Sequence, residues 1–247
     1  MPAVGMQVRL LEMTRDPLTV MYVAFRQCYS PRGAPDLWRE QVSDEHKAGF
    51  IKEVMESGHE SPLEHVKATF AVEGVSRALS HQLVRYRMAS YSQQSQRYVN
   101  MEEFNYIIPP AIEKDAAMRG EFVELMDTLK KGYQSLVARF REAGITGEKA
   151  HEDARFVLPQ ATETKIVVTM NCRELLHFFS QRCCNRAQWE IRALANKMLE
   201  ICREQLPAVF ENAGAKCERL GYCSEGRFSC GKFPTKEELL SKGEAKG

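Results

Sequence analysis

The sequence predicts an α+β protein with a mixed β-sheet and long helices in a single domain. Three stretches predict this class. The runs VKATFAVE (66–73) and KIVVTMN (165–171) are rich in β-formers, and residues 114–143 carry a long helical pattern. A chain of 247 residues, 44% of them hydrophobic, can bury one full core. We therefore expect one domain over residues 1–232 and a polar C-terminal tail over residues 233–247.

The elements of the first half follow from local signals. Residues 7–12 (QVRLLE) predict a strand and residues 17–29 a helix. Residues 43–57 predict a second helix, because Ser43 can cap its N-terminus and Gly58 follows its end. The strand over 66–73 is expected to lead into a helix over the sequence SRALSHQLV.

The second half is mainly helical. Apolar residues recur at helical spacing up to Gly144, which predicts one long scaffold helix over 114–143. Further helices are predicted over 147–156, 172–184 and 187–206, the last ended by Pro207. The lysine- and glutamate-rich tail beyond residue 232 predicts a frayed helix.

Charge and composition limit the classes of function. A formal net charge of +1 provides no global field for a nucleic-acid backbone or an anionic membrane, so an anion site must be a local arginine cluster. No run reaches the roughly 18 apolar residues of a membrane span, and the N-terminus lacks a basic segment followed by an apolar run. We expect a cytoplasmic protein. Neither a dinucleotide-binding fingerprint nor a phosphate-binding P-loop motif occurs.

The segment from Arg85 to Tyr98 (RYRMASYSQQSQRY) is crowded with hydrogen-bond donors. Guanidinium groups can hold a phosphate, while hydroxyl and amide groups can hold a base and sugar, so the segment predicts a nucleotide site. Two alternatives remain open. The segment could be a solvated polar loop, or its interleaved arginines and tyrosines could bind single-stranded nucleic acid.

The segment GHESPLEH, residues 58–65, contains two histidines and two glutamates beside a proline. The spacing of His59 and His65 is not that of a helical zinc pair, so we expect no metal there. Ser61 precedes Pro62, which predicts that Ser61 caps a short helix.

Residues 171–191 place several polar side chains on a predicted helix. Arg173 and His177 share one face, whereas Arg173 and Arg182 point in nearly opposite directions. If both arginines are functional, they serve different ligands or different copies of a site, which favours a site assembled between subunits. Otherwise these arginines are ordinary surface charges of a helix.

The eight cysteines fall into two groups. Five lie among helical or apolar residues, where thiols usually pack: Cys28, Cys172, Cys183, Cys184 and Cys202. Three lie in the polar stretch CERLGYCSEGRFSC: Cys217, Cys223 and Cys230. A metal would need a fourth ligand and tighter pairs than these, so loose packing is favoured, with metal or disulfide left open.

Four segments in this order, GHESPLEH, residues 82–98, DARFVLP and residues 171–191, resemble the flavin-dependent thymidylate synthases (the ThyX family) over roughly residues 45–195. The family signature of Arg-His-Arg, seven residues and Ser stands here as Arg85-Tyr86-Arg87 and Ser95. The resemblance implies a homotetramer whose active sites are shared between subunits. It also implies conversion of dUMP to dTMP with FAD, NADPH as reductant and 5,10-methylenetetrahydrofolate as carbon donor. The alternative is a nucleotide or single-stranded nucleic-acid binding protein on the same fold.

The resemblance also carries site residues over. Those expected to bind FAD are Ser61, Arg85, Tyr86, Arg87, Gln93, Asn171, Arg173 and His177. Those expected around dUMP are Gln82, Arg85, Gln93, Gln94, Ser95, Gln96, Arg97, Arg155 and Arg182. Arg97 and Arg155 would clamp the phosphate, and Arg182 would activate the uracil ring as the catalytic group, without an enzyme cysteine nucleophile.

Three residues depart from the family pattern. Tyr86 replaces the usual histidine, Gln93 stands where glutamate is common, and Arg186 stands where a histidine is expected. Tyrosine does not titrate near neutral pH as imidazole does. The other two changes are expected to make the pocket more cationic.

Overall fold

The computed structural model describes residues 3–244 as an α+β protein. Its strands are β1 (Gln7–Met13), β2 (Lys67–Ser76), β3 (Ala89–Gln93) and β4 (Glu163–Asn171). Its α-helices are α1 (Pro17–Gln27), α2 (Ala34–Trp38), α3 (Asp44–Glu56), α4 (Arg77–Leu83), α5 (Pro110–Glu113), α6 (Ala116–Glu142), α7 (Glu148–Ala154), α8 (Cys172–Arg182), α9 (Trp189–Gln205), α10 (Pro207–Phe210), α11 (Lys216–Leu220) and α12 (Lys236–Glu244). None of the helices within residues 3–244 combines the length and apolar character needed to cross a membrane.

The four strands form one sheet in the order β1-β2-β4-β3. The sheet is antiparallel, whereas we expected a mixed sheet. The contacts between β2 and β4 show the antiparallel direction. The backbone amide of Cys172 donates to the carbonyl of Val66, and the hydroxyls of Thr69 and Thr169 lie 2.9 Å apart. Residue numbers therefore increase along one strand as they decrease along its neighbour.

The chain forms two compact units that do not follow chain order. The first unit takes in the described residues up to Arg9, then Ala71–Arg85 and Tyr91–Val168. The second takes in Leu10–Phe70, Tyr86–Ser90 and the described residues from Thr169 onward. The proposed domain limits of 1–232 and 233–247 stay predictions.

Each unit has its own apolar cluster. In the first unit, Met126, Tyr133 and Val137 of α6 pack with Phe104 and Tyr106. This is the stripe predicted from helical spacing. In the second unit, Tyr22 of α1 packs with Leu37 of α2 and Phe50 of α3. Both arrangements remove apolar faces of helices from water.

Local signals located most elements correctly. The Ser43 hydroxyl accepts a hydrogen bond from the amide of His46, as expected of a cap, and Gly58 adopts a φ of 83° just past α3. The prediction for Ser61 differed. Ser61 begins a 3-10 helix, Ser61–His65, whose capping residue is Glu60.

Strand β3 and the short helices α2, α5, α10 and α11 were missed, and one proline had a second role. Strand β3 escaped notice because ASYSQ has no apolar alternation. Helix α2 is only five residues long. Pro207 follows the end of α9 at Gln205, and it also begins α10, since proline is tolerated in a first helical turn.

Candidate functional site

In the first unit, Arg97 and Arg155 both contact Glu152. The guanidinium of Arg97 pairs with Glu148 and, at 2.9 Å, with the carboxylate of Glu152. Arg155 donates from Nε to the backbone carbonyl of Glu152 at 3.1 Å. The carboxylates lie on α7, which Arg155 follows directly, so a single short helix positions both arginines. The structure thus brings together the two residues predicted to clamp a phosphate.

The segment before Arg97 is held by hydrogen bonds within the same unit. The backbone N–H of Gln94 donates to the backbone carbonyl of Lys165 at 2.9 Å, which extends the pairing of β3 with β4. Gln93 donates from its side chain to the hydroxyl of Thr164 at 3.0 Å, and Ser95 accepts from the amide of Arg97 at 3.2 Å. These bonds fix the backbone of the donor-rich segment.

Arg77 is a cation of the first unit that the sequence analysis missed. It is the first residue of α4, where the helix dipole disfavours positive charge, and that placement was the available signal. Burial, and then the charge of Arg155, lower the pKa of Arg77. Two guanidinium groups are therefore held close enough to repel each other, an arrangement that an anion would relieve.

In the second unit, the start of α8 borders a cleft of about 530 Å³. The Asn171 side chain caps the helix by accepting from the amide of Glu174 at 2.9 Å, which leaves its NH₂ group to donate elsewhere. Arg173 pairs with Glu64 at 2.5 Å and lies 4.0 Å from Glu60. The hydrogen bond with Glu64 raises the pKa of Arg173. Asn171, Arg173 and His177 all line this cleft.

The other end of α8 holds Arg182 against Tyr86. Arg182 donates from Nε to the Tyr86 hydroxyl at 2.7 Å, and its guanidinium carbon lies 5.4 Å from the centre of the ring. The Tyr86 side chain is 6% exposed and packs edge-to-face on Phe178. Burial raises the pKa of Tyr86, partly offset by Arg182, so the phenol stays neutral. The ring is therefore enclosed by protein.

Arg182 lines a separate cleft of about 340 Å³. Arg173 does not line this cleft, and Arg182 does not line the larger one, as their opposed helix faces predicted. Both clefts belong to the second unit, and Ser180 borders each of them.

The remaining predicted residues are less constrained. Gln82 and Gln96 are partly buried in the first unit, and Arg85 is exposed there. Ser61 and Arg87 are exposed in the second unit. Their roles toward ligands stay predictions.

Arg186 adds less positive charge than we expected. Its guanidinium pairs with Glu225 and lies 4.9 Å from the centre of the Phe228 ring. The carboxylate offsets the charge, and both partners come from the C-terminal segment. Arg186 therefore attaches that segment to the end of α8.

All eight cysteines are free thiols. Among the residues that the structure describes, no group of three or more histidine, cysteine or acidic side chains is placed to hold a metal ion. Burial raises the pKa of Cys183 to about 12 and that of Cys202 to about 12, so these two thiols stay protonated.

Comparison with known proteins identifies the relatives of this chain. Residues 9–208 match the family model described as thymidylate synthase complementing protein. The chain is 54% identical over 244 residues to the flavin-dependent thymidylate synthase of Nitratidesulfovibrio vulgaris, covering 97% of this chain and 100% of that protein. The enzyme of the same name from Clostridium tetani is 49% identical over 92% of this chain and 94% of its own length. The enzyme of the same name from Geobacter sulfurreducens is 47% identical over 95% of this chain and 98% of its own length.

Proposed function

The chain belongs to the thymidylate synthase complementing protein family, and from that premise we propose that it is a flavin-dependent thymidylate synthase. It converts dUMP to dTMP with FAD, uses 5,10-methylenetetrahydrofolate as carbon donor and takes its electrons from NADPH. It acts in the cytoplasm as a homotetramer with active sites shared between subunits. The observation that carries the mechanism is the fixed position of Arg182, held by Tyr86 at the edge of a cleft.

Arg97, Arg155 and the newly noted Arg77 bind the phosphate of dUMP. Arg77 and Arg155 repel each other, and a dianionic phosphate removes that repulsion. Arg97 exchanges part of its pairing with Glu148 and Glu152 for phosphate oxygens. Gln94, Ser95 and Gln96 add backbone and side-chain donors to the cradle.

Arg182 polarises the uracil ring. A guanidinium beside the pyrimidine stabilises the negative charge that develops on its oxygen and nitrogen atoms when the far edge of the ring becomes nucleophilic. Tyr86 accepts a hydrogen bond from Nε, so the terminal nitrogens remain available as donors. Because Tyr86 is buried and neutral, it orients Arg182 without neutralising it.

The cleft of about 530 Å³ at the start of α8 fits a flavin dinucleotide chemically. Its volume of about 530 Å³ lies within the range of small-molecule sites. Asn171, Arg173, Lys216 and Arg219 supply donors for a pyrophosphate, in keeping with the absence of a glycine-rich loop. Arg173 and Arg219 pair with Glu64 and Glu60, so they exchange a carboxylate for the anion. The bound flavin supplies hydride and one-carbon transfer chemistry, while these residues orient it.

No cysteine acts as the nucleophile in this mechanism. Cys183 and Cys202 are kept protonated by burial, and polarisation by Arg182 replaces thiolate attack. Cys184, Cys217 and Cys223 border the Arg182 cleft, so replacing each of them in turn by serine tests the point directly. All three variants retain dTMP formation if this mechanism is correct.

The experiment that tests the function is an anaerobic absorption titration. FAD is added to the purified protein, and its visible band is followed during NADPH reduction with and without dUMP. The proposal expects a band that bleaches at a rate that depends on dUMP, followed by dTMP formation when the folate is added. Absence of flavin binding would contradict it. The nucleic-acid alternative gains no support from the relatives, and Glu148 and Glu152 already neutralise Arg97.

A further inference from the structure

Five thiols surround one small cavity in the second unit. Cys183, Cys184, Cys217, Cys223 and Cys230 line a space of about 10 Å³ together with Lys232. Cys183 and Cys184 follow α8, and the others come from the C-terminal segment. Folding therefore brings together cysteines more than thirty residues apart, a grouping that the sequence alone left unresolved.

The thiols differ in exposure and chemistry. Cys230 is exposed, and Asn185 donates a side-chain hydrogen bond to its sulfur at 3.8 Å. The backbone amide of Lys232, and to a smaller extent Asn185 and the Lys232 charge, lower the pKa of Cys230. Cys217 is partly buried, and burial, followed by the neighbouring Cys184, raises its pKa. Cys230 therefore ionises more readily than an ordinary thiol, whereas Cys217 ionises less readily.

Lys232 connects these two thiols. Its ammonium pairs with Glu218 at 2.7 Å, which is the main cause of its raised pKa, and the sulfurs of Cys217 and Cys230 both contribute as well. Lys232, Cys217 and Cys230 all line the same cavity. A cation beside a thiol favours the thiolate that begins disulfide exchange.

We propose that Cys230 and Cys217 form a thiol–disulfide exchange site that reacts with small-molecule disulfides, glutathione disulfide being the probe. The Cys230 thiolate attacks one sulfur of the probe, breaks its S–S bond, forms a mixed disulfide and releases one thiolate. Cys217 loses its proton, attacks the Cys230 sulfur and releases the second thiol. The two protein thiols lose two electrons in total, and the probe gains them as two thiols. This exchange reaction is chemically separate from the proposed synthase reaction.

The closed pair would lie at the wall of the Arg182 cleft, which Cys217 also borders. Exchange at Cys217 and Cys230 therefore couples the redox state of the C-terminal segment to the surroundings of Arg182. Disulfide formation is measurable without any turnover, so the test below does not depend on enzyme activity.

The test uses the reduced full-length protein, incubated anaerobically with glutathione disulfide, alkylated and digested with trypsin. Cleavage after lysine and arginine places the relevant cysteines on separate peptides: CER for Cys217, LGYCSEGR for Cys223, FSCGK for Cys230 and CCNR for Cys183 and Cys184. We expect CER linked to FSCGK as the main product. A dominant link from CER to LGYCSEGR or CCNR would overturn the assignment.

Three variants sharpen the result. Cys217→Ser should trap the glutathione adduct on Cys230, and Cys230→Ser should leave Cys217 largely unreacted. Lys232→Met should slow the reaction of Cys230 by about three- to tenfold, because the thiolate loses its cation. Cys28 is exposed and does not border this cavity, so it serves as the control thiol that keeps its adduct.

Two outcomes would refute the site. A stable adduct on Cys230 in the unmodified protein would show that Cys217 does not resolve it. One equivalent of zinc in protein purified without chelator, with these thiols protected from alkylation until the metal is removed, would assign the cavity to a metal.

Discussion

The two ends of α8 hold their arginines in different ways. Arg173, near the start, pairs with Glu64 and is half exposed. Arg182, at the end, is held by the neutral hydroxyl of Tyr86 and is partly buried. The first guanidinium must exchange a carboxylate before it binds an anion, whereas the second keeps its full charge for a ligand.

The same contrast occurs in the first unit. Arg97 pairs with Glu148 and Glu152, whereas Arg155 is held by a backbone carbonyl and lies near Arg77. A carboxylate partner compensates the guanidinium charge and competes with an incoming anion, whereas a neutral partner leaves that charge uncompensated. We therefore expect the largest functional losses where the arginine has a neutral partner.

The largest effect is expected for Arg182→Ala. Loss of the polarising guanidinium should lower kcat for dTMP formation by at least about 100-fold, the size typical of a removed oxyanion donor. FAD binding should persist, because Arg182 does not line the cleft at the start of α8. Steady-state kinetics measure kcat, and flavin titration measures the affinity for FAD. Retained turnover would exclude the proposed role of Arg182.

A smaller effect is expected for Arg155→Ala. Loss of a charge-assisted hydrogen bond to phosphate should raise the Kd for dUMP by about 10- to 100-fold. Calorimetric titration with dUMP measures it. Arg119→Ala, which removes an exposed guanidinium paired with Glu113 in the same unit, is the matched control. Equal affinities in the two variants would place the phosphate elsewhere.

The smallest effect is expected for Glu64→Gln. Arg173 loses its carboxylate partner, so FAD should bind about two- to fivefold more tightly, a modest change because the pair is half exposed. Fluorescence titration of FAD measures it. Glu40→Gln, which breaks the ion pair with Arg32, serves as the control and should leave FAD affinity unchanged. Weaker FAD binding in Glu64→Gln would mean that Glu64 itself contacts the cofactor.

Local sequence patterns were sufficient for most of the scaffold. Caps, periodicity and glycines located α3, α6 and the strands β2 and β4, because these signals depend on residues within one or two turns. The arginine-rich segment and its order among the other motifs were also sufficient to indicate the family.

Only the tertiary structure shows which residue each functional side chain contacts. Glu64 and Arg173 are 109 residues apart, and Tyr86 and Arg182 are 96 apart, so no local pattern could pair them. The same holds for the cavity shared by Cys184, Cys217 and Cys230. The sequence determines the residue types and, through helix periodicity, the face of the helix on which each lies. Whether an arginine contacts a carboxylate or a phenol depends on packing between elements that are distant in the sequence.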